Sequence, residues 1–255
     1  MKNLIVIPAR MNSSRFYGKP LENILNIPMI HHCFIRAEMS DAGDVFIATP
    51  DLEIQEYCIR HSIPVVMTSD DHERATERVA EAYSILCKDK NLNYDNIIML
   101  QGDEPLVQID QIKILSNAIK ISSCGIVNLI EPIEISNFTN RDIVKVALSE
   151  NKNILFYSRA PIPFESLSPL KQLGMIAFSS DKIKKFVNLD PTPLEILESI
   201  DMLRFIENDI SIEGIISRDI SIGVDRPKDL AIVEELMRKD ILYKEYSIDI
   251  NLDRS

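Results

Sequence analysis

Residues 3–7 (NLIVI) form a short strand-like segment, apolar without a break from Leu4 and rich in β-branched residues, that stops at Pro8. A run without polar alternation has both faces to bury, so it predicts an inner strand of a parallel sheet. The pattern recurs. Residues 45–48 (VFIA), 64–67 and 97–100 (IIML) read as further short strands. Residues 29–39, 51–61, 76–88 and 109–121 read as helices between and after them. In 76–88, Val79, Ala80, Tyr83, Leu86 and Cys87 share one face. Asp51 is the expected cap of the helix over 51–61, with Glu53 and Glu56 in its first turns. This alternation implies an α/β fold with a doubly wound, mostly parallel sheet covered on both faces. Such sheets bind ligands beyond the carboxyl ends of their strands.

The second half is less regular. Residues 124–130, 144–148, 154–158 and 175–178 read as strands, and 211–216 as an edge strand. Thr192-Pro193 opens a helix expected to run over 193–206. Residues 222–225 lead into a turn at Arg226-Pro227, and 229–239 form a final amphipathic helix. Residues 1–240 therefore read as a single domain, with 241–255 a polar C-terminal tail expected to fray.

Bulk properties remove several function classes. A formal net charge of -11 is wrong for a general nucleic-acid binder, which needs clustered Lys and Arg. It makes any local basic cluster more informative. No stretch approaches the ~18 apolar residues of a membrane span, and the apolar run at the start is too short for a signal peptide. Cys33, Cys58, Cys87 and Cys124 have no zinc or redox spacing, which suits small buried hydrophobes or free thiols in a reducing cytoplasm.

Four segments carry chemistry. In residues 8–20 (PARMNSSRFYGKP), Arg10, Arg15 and Lys19 share a loop with Asn12, Ser13, Ser14 and Gly18. Guanidinium forks and backbone N–H groups in such a loop suit a triphosphate. A solvated loop balancing nearby carboxylates explains the residues equally well. Gln101-Gly102-Asp103-Glu104-Pro105 follows the IIML strand, and Asp103 there suits a magnesium ion carried by a nucleotide. Gly102 would let the backbone approach a ribose or base. Unaided, an acidic turn capping the next helix is the simpler reading. Asp225, in residues 223–229 (GVDRPKD), is either a second carboxylate for the same metal or a turn residue, with Asp229 the helix cap. Residues 71–78 (DHERATER) open a helix that Thr76 could cap, with Arg78 in reach of a phosphate or base.

Taken together the segments resemble the 3-deoxy-manno-octulosonate (Kdo) cytidylyltransferases. IPARMNSSRFYGKPL, QGDEP, IVKVAL followed by FYSRAPIP, PTPLE, and GVDRPKDL match that family's motifs in order over roughly residues 4–235. The family has a nucleotide-binding α/β core with a smaller insertion that forms a homodimer and the sugar site. Its reaction joins CMP from CTP to an ulosonic acid and releases pyrophosphate, for bacterial surface polysaccharides. The resemblance implies that Arg10, Ser13, Arg15, Lys19 and Arg78 bind CTP, and that Asp103 and Asp225 ligate Mg2+. Lys19, Asp103 and Asp225 become the expected catalytic set. Ala9 and Gln101 would line the nucleotide and sugar pockets, and Arg159, Gln172 and Asp201 the sugar. The partners expected are CTP and an acidic 3-deoxy sugar, without nucleic acid or membrane.

The chain departs from the family pattern mostly in the sugar half. Ala75 replaces a glycine, Gln172 a histidine, Ile176 a tyrosine, and Asp201-Met202 a Glu-Gln pair that faces the sugar. A site built to bond a hydroxyl discriminates strongly, so these exchanges suit either a changed ulosonic acid or drift in a pocket that still takes Kdo. Rival readings are a nucleotidyltransferase for another sugar or an alcohol, and a catalytically silent nucleotide-binding homologue. SRAPIP and PTPLE oppose the first, and the retained cations and carboxylates the second.

Overall fold

A computed structural model describes residues 1–12, 16–89, 92–219 and 222–252. Strand β1 (Asn3–Pro8) is buried along its whole length. Leu4 and Val6 join one apolar cluster, while Ile5 and Ile7 join another on the opposite face. The unbroken apolar run is thus two alternating faces, each with its own core. A short hairpin, β2 (Asn23–Ile24) and β3 (Ile27–Pro28), leads into helix α1 (Met29–Met39). There follow β4 (Asp44–Thr49), α2 (Leu52–Arg60), β5 (Val65–Met67), α3 (Ala75–Asp89), β6 (Asn96–Leu100) and α4 (Ile109–Ile121). The strands of this half are parallel in the order β6-β1-β4-β5.

The second half adds β7 (Ile126–Pro132), β8 (Lys145–Leu148), β9 (Ile154–Ser158) and β10 (Leu170–Ser179). Then come α5 (Ser180–Phe186), α6 (Pro193–Glu198), α7 (Leu203–Glu207), β11 (Glu213–Ile216), α8 (Pro227–Lys239) and α9 (Ile241–Leu252). The full order is β11-β7-β10-β6-β1-β4-β5, with β8 and β9 branching off β10. Strand β10 pairs with β7 along one edge. On its other edge it pairs with β8 at residues 170–171 and with β6 at residues 175–179. The sheet therefore forks at residues 172–174, just past the carboxyl end of β6. Among the described residues no helix is long and apolar enough to cross a membrane.

Three expectations change. The helix expected over 193–206 is broken, because Ser199 takes a left-handed φ of 56° and ends α6. The break turns Ile200, Met202, Leu203 and Phe205 into the core. Residues 241–252 form a helix rather than a frayed tail. Tyr246 explains this: it is buried and donates its hydroxyl to His32 Nδ1 at 2.7 Å. Finally, Asp51 precedes α2 without capping it through its side chain. Its carboxylate accepts the Met11 N–H at 2.8 Å, tying the 8–20 loop to that helix start.

Candidate functional site

Two clefts lie beyond the carboxyl ends of β1 and β6 and share Asp103. The first is built on the chain leaving β1 and the chain entering α3. Ala9, Arg10, Lys19, Arg78, Gln101 and Asp103 all line it. Ser13 and Arg15 lie outside the described residues.

Cations dominate this cleft. Lys19 is positioned by a single 3-10 turn (Lys19–Leu21) after Gly18, whose φ of 74° suits glycine. Its Nζ bonds Asp103 Oδ2 at 2.5 Å and donates to the Val224 carbonyl at 2.9 Å. Arg78 is 3% exposed and donates to Thr68 Oγ1 at 2.6 Å and the Ser69 carbonyl at 3.0 Å. Burial, and then the Arg10 guanidinium, press its pKa below the usual arginine value. A guanidinium stays charged regardless, so two like charges are held together at one wall. A bound polyanion would relieve that repulsion.

The start of α3 is fixed from behind. Thr76 does not cap the helix; its hydroxyl donates to Asp201 Oδ2 at 2.6 Å. Burial raises the Asp201 pKa, against the opposing pull of the Thr76 bonds. Asp201 lines neither cleft. Arg204 donates from Nε and Nη2 to both oxygens of Glu195 at 2.7 Å, and from Nη2 to Glu77 at 2.9 Å. Glu195 belongs to the PTPLE motif, and sequence reasoning missed this role. Ala75, which replaces the family glycine, begins an ordinary helix, so that exchange costs the backbone nothing.

The second cleft is lined by Asp103, Glu104, Gln172, Gly174 and Asp225, among others. The Val224 N–H donates to the Asp103 carbonyl at 2.9 Å, which brings Asp225 to this junction. Asp229 is not the N-cap of α8; it sits in the first turn and accepts the Asp225 and Arg226 N–H groups at 3.0 and 2.8 Å. Gly102 packs against its own chain: a Cβ there would meet Ile30 at 2.8 Å and the Pro8 carbonyl at 3.1 Å.

Arg159 lines neither cleft. Its backbone N–H and Nε donate to Glu198, and Nη1 donates to the Arg141 carbonyl. Its own carbonyl accepts from Lys145 Nζ at 2.6 Å. Two further departures, Ile176 and Met202, are buried in the apolar core. Gln172 lines the second cleft, and Ala75 lines the first.

The family model described as cytidylyltransferase matches residues 4–216. The chain is 36% identical to a 3-deoxy-manno-octulosonate cytidylyltransferase of Thermodesulfovibrio yellowstonii, over 93% of this chain and 98% of that one. It is also 36% identical to the enzyme of that name from Syntrophobacter fumaroxidans, over 94% and 98% of the two chains. A solved CMP:2-keto-3-deoxy-manno-octonic acid synthetase complexed with CTP superposes with a TM-score of 0.85, at 30% identity, covering 94% of this chain and 99% of that one. On these matches the chain belongs to the cytidylyltransferase family.

Proposed function

We propose that this enzyme transfers CMP from CTP to the anomeric hydroxyl of Kdo or a close 3-deoxy ulosonic acid and releases pyrophosphate. The observation that carries the reading is the junction at Asp103, where a cationic cleft meets a second cleft. The names of the similar enzymes, 36% identical along nearly their whole length, support Kdo as the acceptor.

In this reading Arg10, Lys19 and Arg78 hold the triphosphate. The acceptor enters the second cleft, so its hydroxyl oxygen meets the α-phosphorus at the junction. One P–O bond forms, the bond to pyrophosphate breaks, and the hydroxyl proton leaves to solvent. Charge spreads over the phosphate oxygens, and pre-positioned cations stabilise it more than the ground state. Asp103 and Asp225 offer hard oxygen donors, which fit Mg2+ taking its remaining ligands from phosphate and water. When bound, the ion would neutralise phosphate charge and acidify the attacking hydroxyl. Four free thiols support a reducing, cytoplasmic setting. Exposed Leu155, Phe164, Leu167 and Leu197, on and after the β8–β9 appendage, support a homodimer. A surface-glycan precursor is the product this chemistry would supply.

The test is pyrophosphate release from CTP with Mg2+ and a panel of 3-deoxy ulosonic acids including Kdo, with no-sugar and chelator controls. Acceptor-dependent release, abolished by chelator and lowered at least ~100-fold in Lys19→Met, is expected. Binding of CTP without release for any acceptor overturns the reading.

A further inference from the structure

The wall of the second cleft is made by an irregularity in β10. Gln172 lies opposite Ile130 on β7, yet Ile176 lies opposite Asn128. Four steps along β10 thus face two along β7. A bulge of this kind takes backbone groups out of the ladder, and buried carbonyls without donors are costly.

Asn128 supplies the donors. It is fully buried, and its Nδ2 lies 3.0 Å from each of the carbonyls of Leu173, Met175 and Leu129. Three carbonyls around one amide end require that end to be the NH2 group, so Oδ1 points the other way. Two donors meet it there: Tyr157 Oη at 2.8 Å and Gln172 Nε2 at 3.1 Å. The crest of the bulge is Gly174, whose N–H donates to Glu104 Oε1 at 3.0 Å. The bulge is therefore clamped between Asn128 behind and the Gln101–Glu104 turn in front.

The consequence concerns Gln172. Asn128 Oδ1 can only accept, so Gln172 gives it an N–H. That directs the Gln172 amide oxygen away from Asn128, and Gln172 lines the second cleft. We infer that Asn128 is a positioning residue for acceptor recognition: by holding the β10 bulge and one end of the Gln172 amide, it fixes a hydrogen-bond acceptor in the second cleft, which selects a sugar bearing a hydrogen-bond donor there. This rests on the functional reading above. A site whose buried polar groups expect a partner rejects an analogue lacking it.

Steady-state kinetics on the full chain test it, with CTP and Mg2+ and the best acceptor of the panel. Asn128→Ala and Gln172→Met should each raise the acceptor KM about five- to tenfold, with the KM for CTP unchanged. The double variant should rise no further than the larger single effect, because both changes remove one linked arrangement. A merely structural role for Asn128 gives additive losses and overturns the inference. If Asn128→Ala fails to bind CTP, Gln172→Met decides alone, against acceptor analogues each lacking one hydroxyl. The wild type should discriminate against one analogue about tenfold and Gln172→Met should not; equal discrimination by both proteins overturns the inference. A wild type inactive with every ulosonic acid overturns the functional reading instead, and this inference with it. An active wild type with unmoved variants overturns this inference alone.

Discussion

Replacing Arg204 with Met should cost more than almost any other single change outside the clefts. Arg204 and Glu195 side chains are 3% and 1% exposed, and their two 2.7 Å bonds are bidentate. Without the guanidinium, Glu195 keeps the Arg74 Nε at 3.7 Å and the Thr192 N–H at 3.3 Å, neither a good substitute. Removing one partner of such a buried pair costs about 3–5 kcal/mol, because the other charge is stranded. For a chain this size that is a fall in melting temperature of roughly 10 °C. The guanidinium also lies over the Phe186 ring at 4.1 Å, worth about 1 kcal/mol more. Replacing Glu195 with Met as well removes the stranded charge, so the double variant should regain at least about half of the loss. Glu77 loses the Arg204 guanidinium in both variants but keeps the Arg74 N–H at 3.2 Å, and it is partly exposed, so water can serve its other oxygen. Since Glu77 also accepts the Arg74 N–H in the first turn of α3, the KM for CTP should rise in both. Urea unfolding followed by far-UV circular dichroism reads the stability. A cost below ~1 kcal/mol for Arg204→Met, or a double variant as unstable as the two single losses summed, refutes the reasoning.

Two further outcomes are expected. Gly174→Ala places a Cβ at 2.2 Å from Gln101 Cγ and 2.9 Å from Glu104 Oε1; forced apart, the bulge and the turn should lose about 1–3 kcal/mol of stability, and pyrophosphate release should fall. Wild-type release and melting in that variant would show that the contact is slack. Burial lowers the His32 pKa from 6.5 to about 4, with help from the Arg36 charge. Below pH 6.5 the unfolded chain takes up the proton first. The stability due to neutral His32 is therefore complete above pH 6.5 and lost as pH falls toward 4, by about 3 kcal/mol. Urea unfolding at pH 7 and pH 4.5 should show this slope in the wild type and a smaller one in His32→Asn; equal slopes in the two proteins would refute it.

Much of the first cleft is legible in the sequence because its residues cluster there. Arg10 and Asp103 each lie just past an apolar strand, Lys19 follows in the same polar segment as Arg10, and the fold brings all three to one cleft. The broken helix was hidden because its cause is a single backbone angle at Ser199, a residue type without strong left-handed preference. The docked C-terminal helix is hidden because its apolar residues are spread round it without a clear stripe, although Tyr243 and Tyr246, three apart, mark the face that meets His32. Strand β10 is legible only over 175–178, because its first half carries Lys171, Gln172 and Gly174 and shows no alternation. What holds that half in place lies on other strands.

Asn128 shows how such a residue announces itself. It is the single polar residue in the buried run IVNLI, and Tyr157 is likewise buried in β9. A carboxamide inside an inner strand has four hydrogen-bonding capacities that the ladder does not use. Leaving them unmet would cost several kcal/mol. Such a residue is therefore tolerated where backbone elsewhere has been pulled out of its own ladder and needs those partners. The polar interruption in β7 is thus the sequence trace of the bulge in β10, and the bulge in turn gives the second cleft its wall. A Val or Leu at position 128 would make a more regular strand and leave the Leu173 and Met175 carbonyls without their donor. On this argument the irregularity of the second half reflects the shaping of the second cleft, which is why apolar periodicity reads the first half of the chain well and the second half poorly.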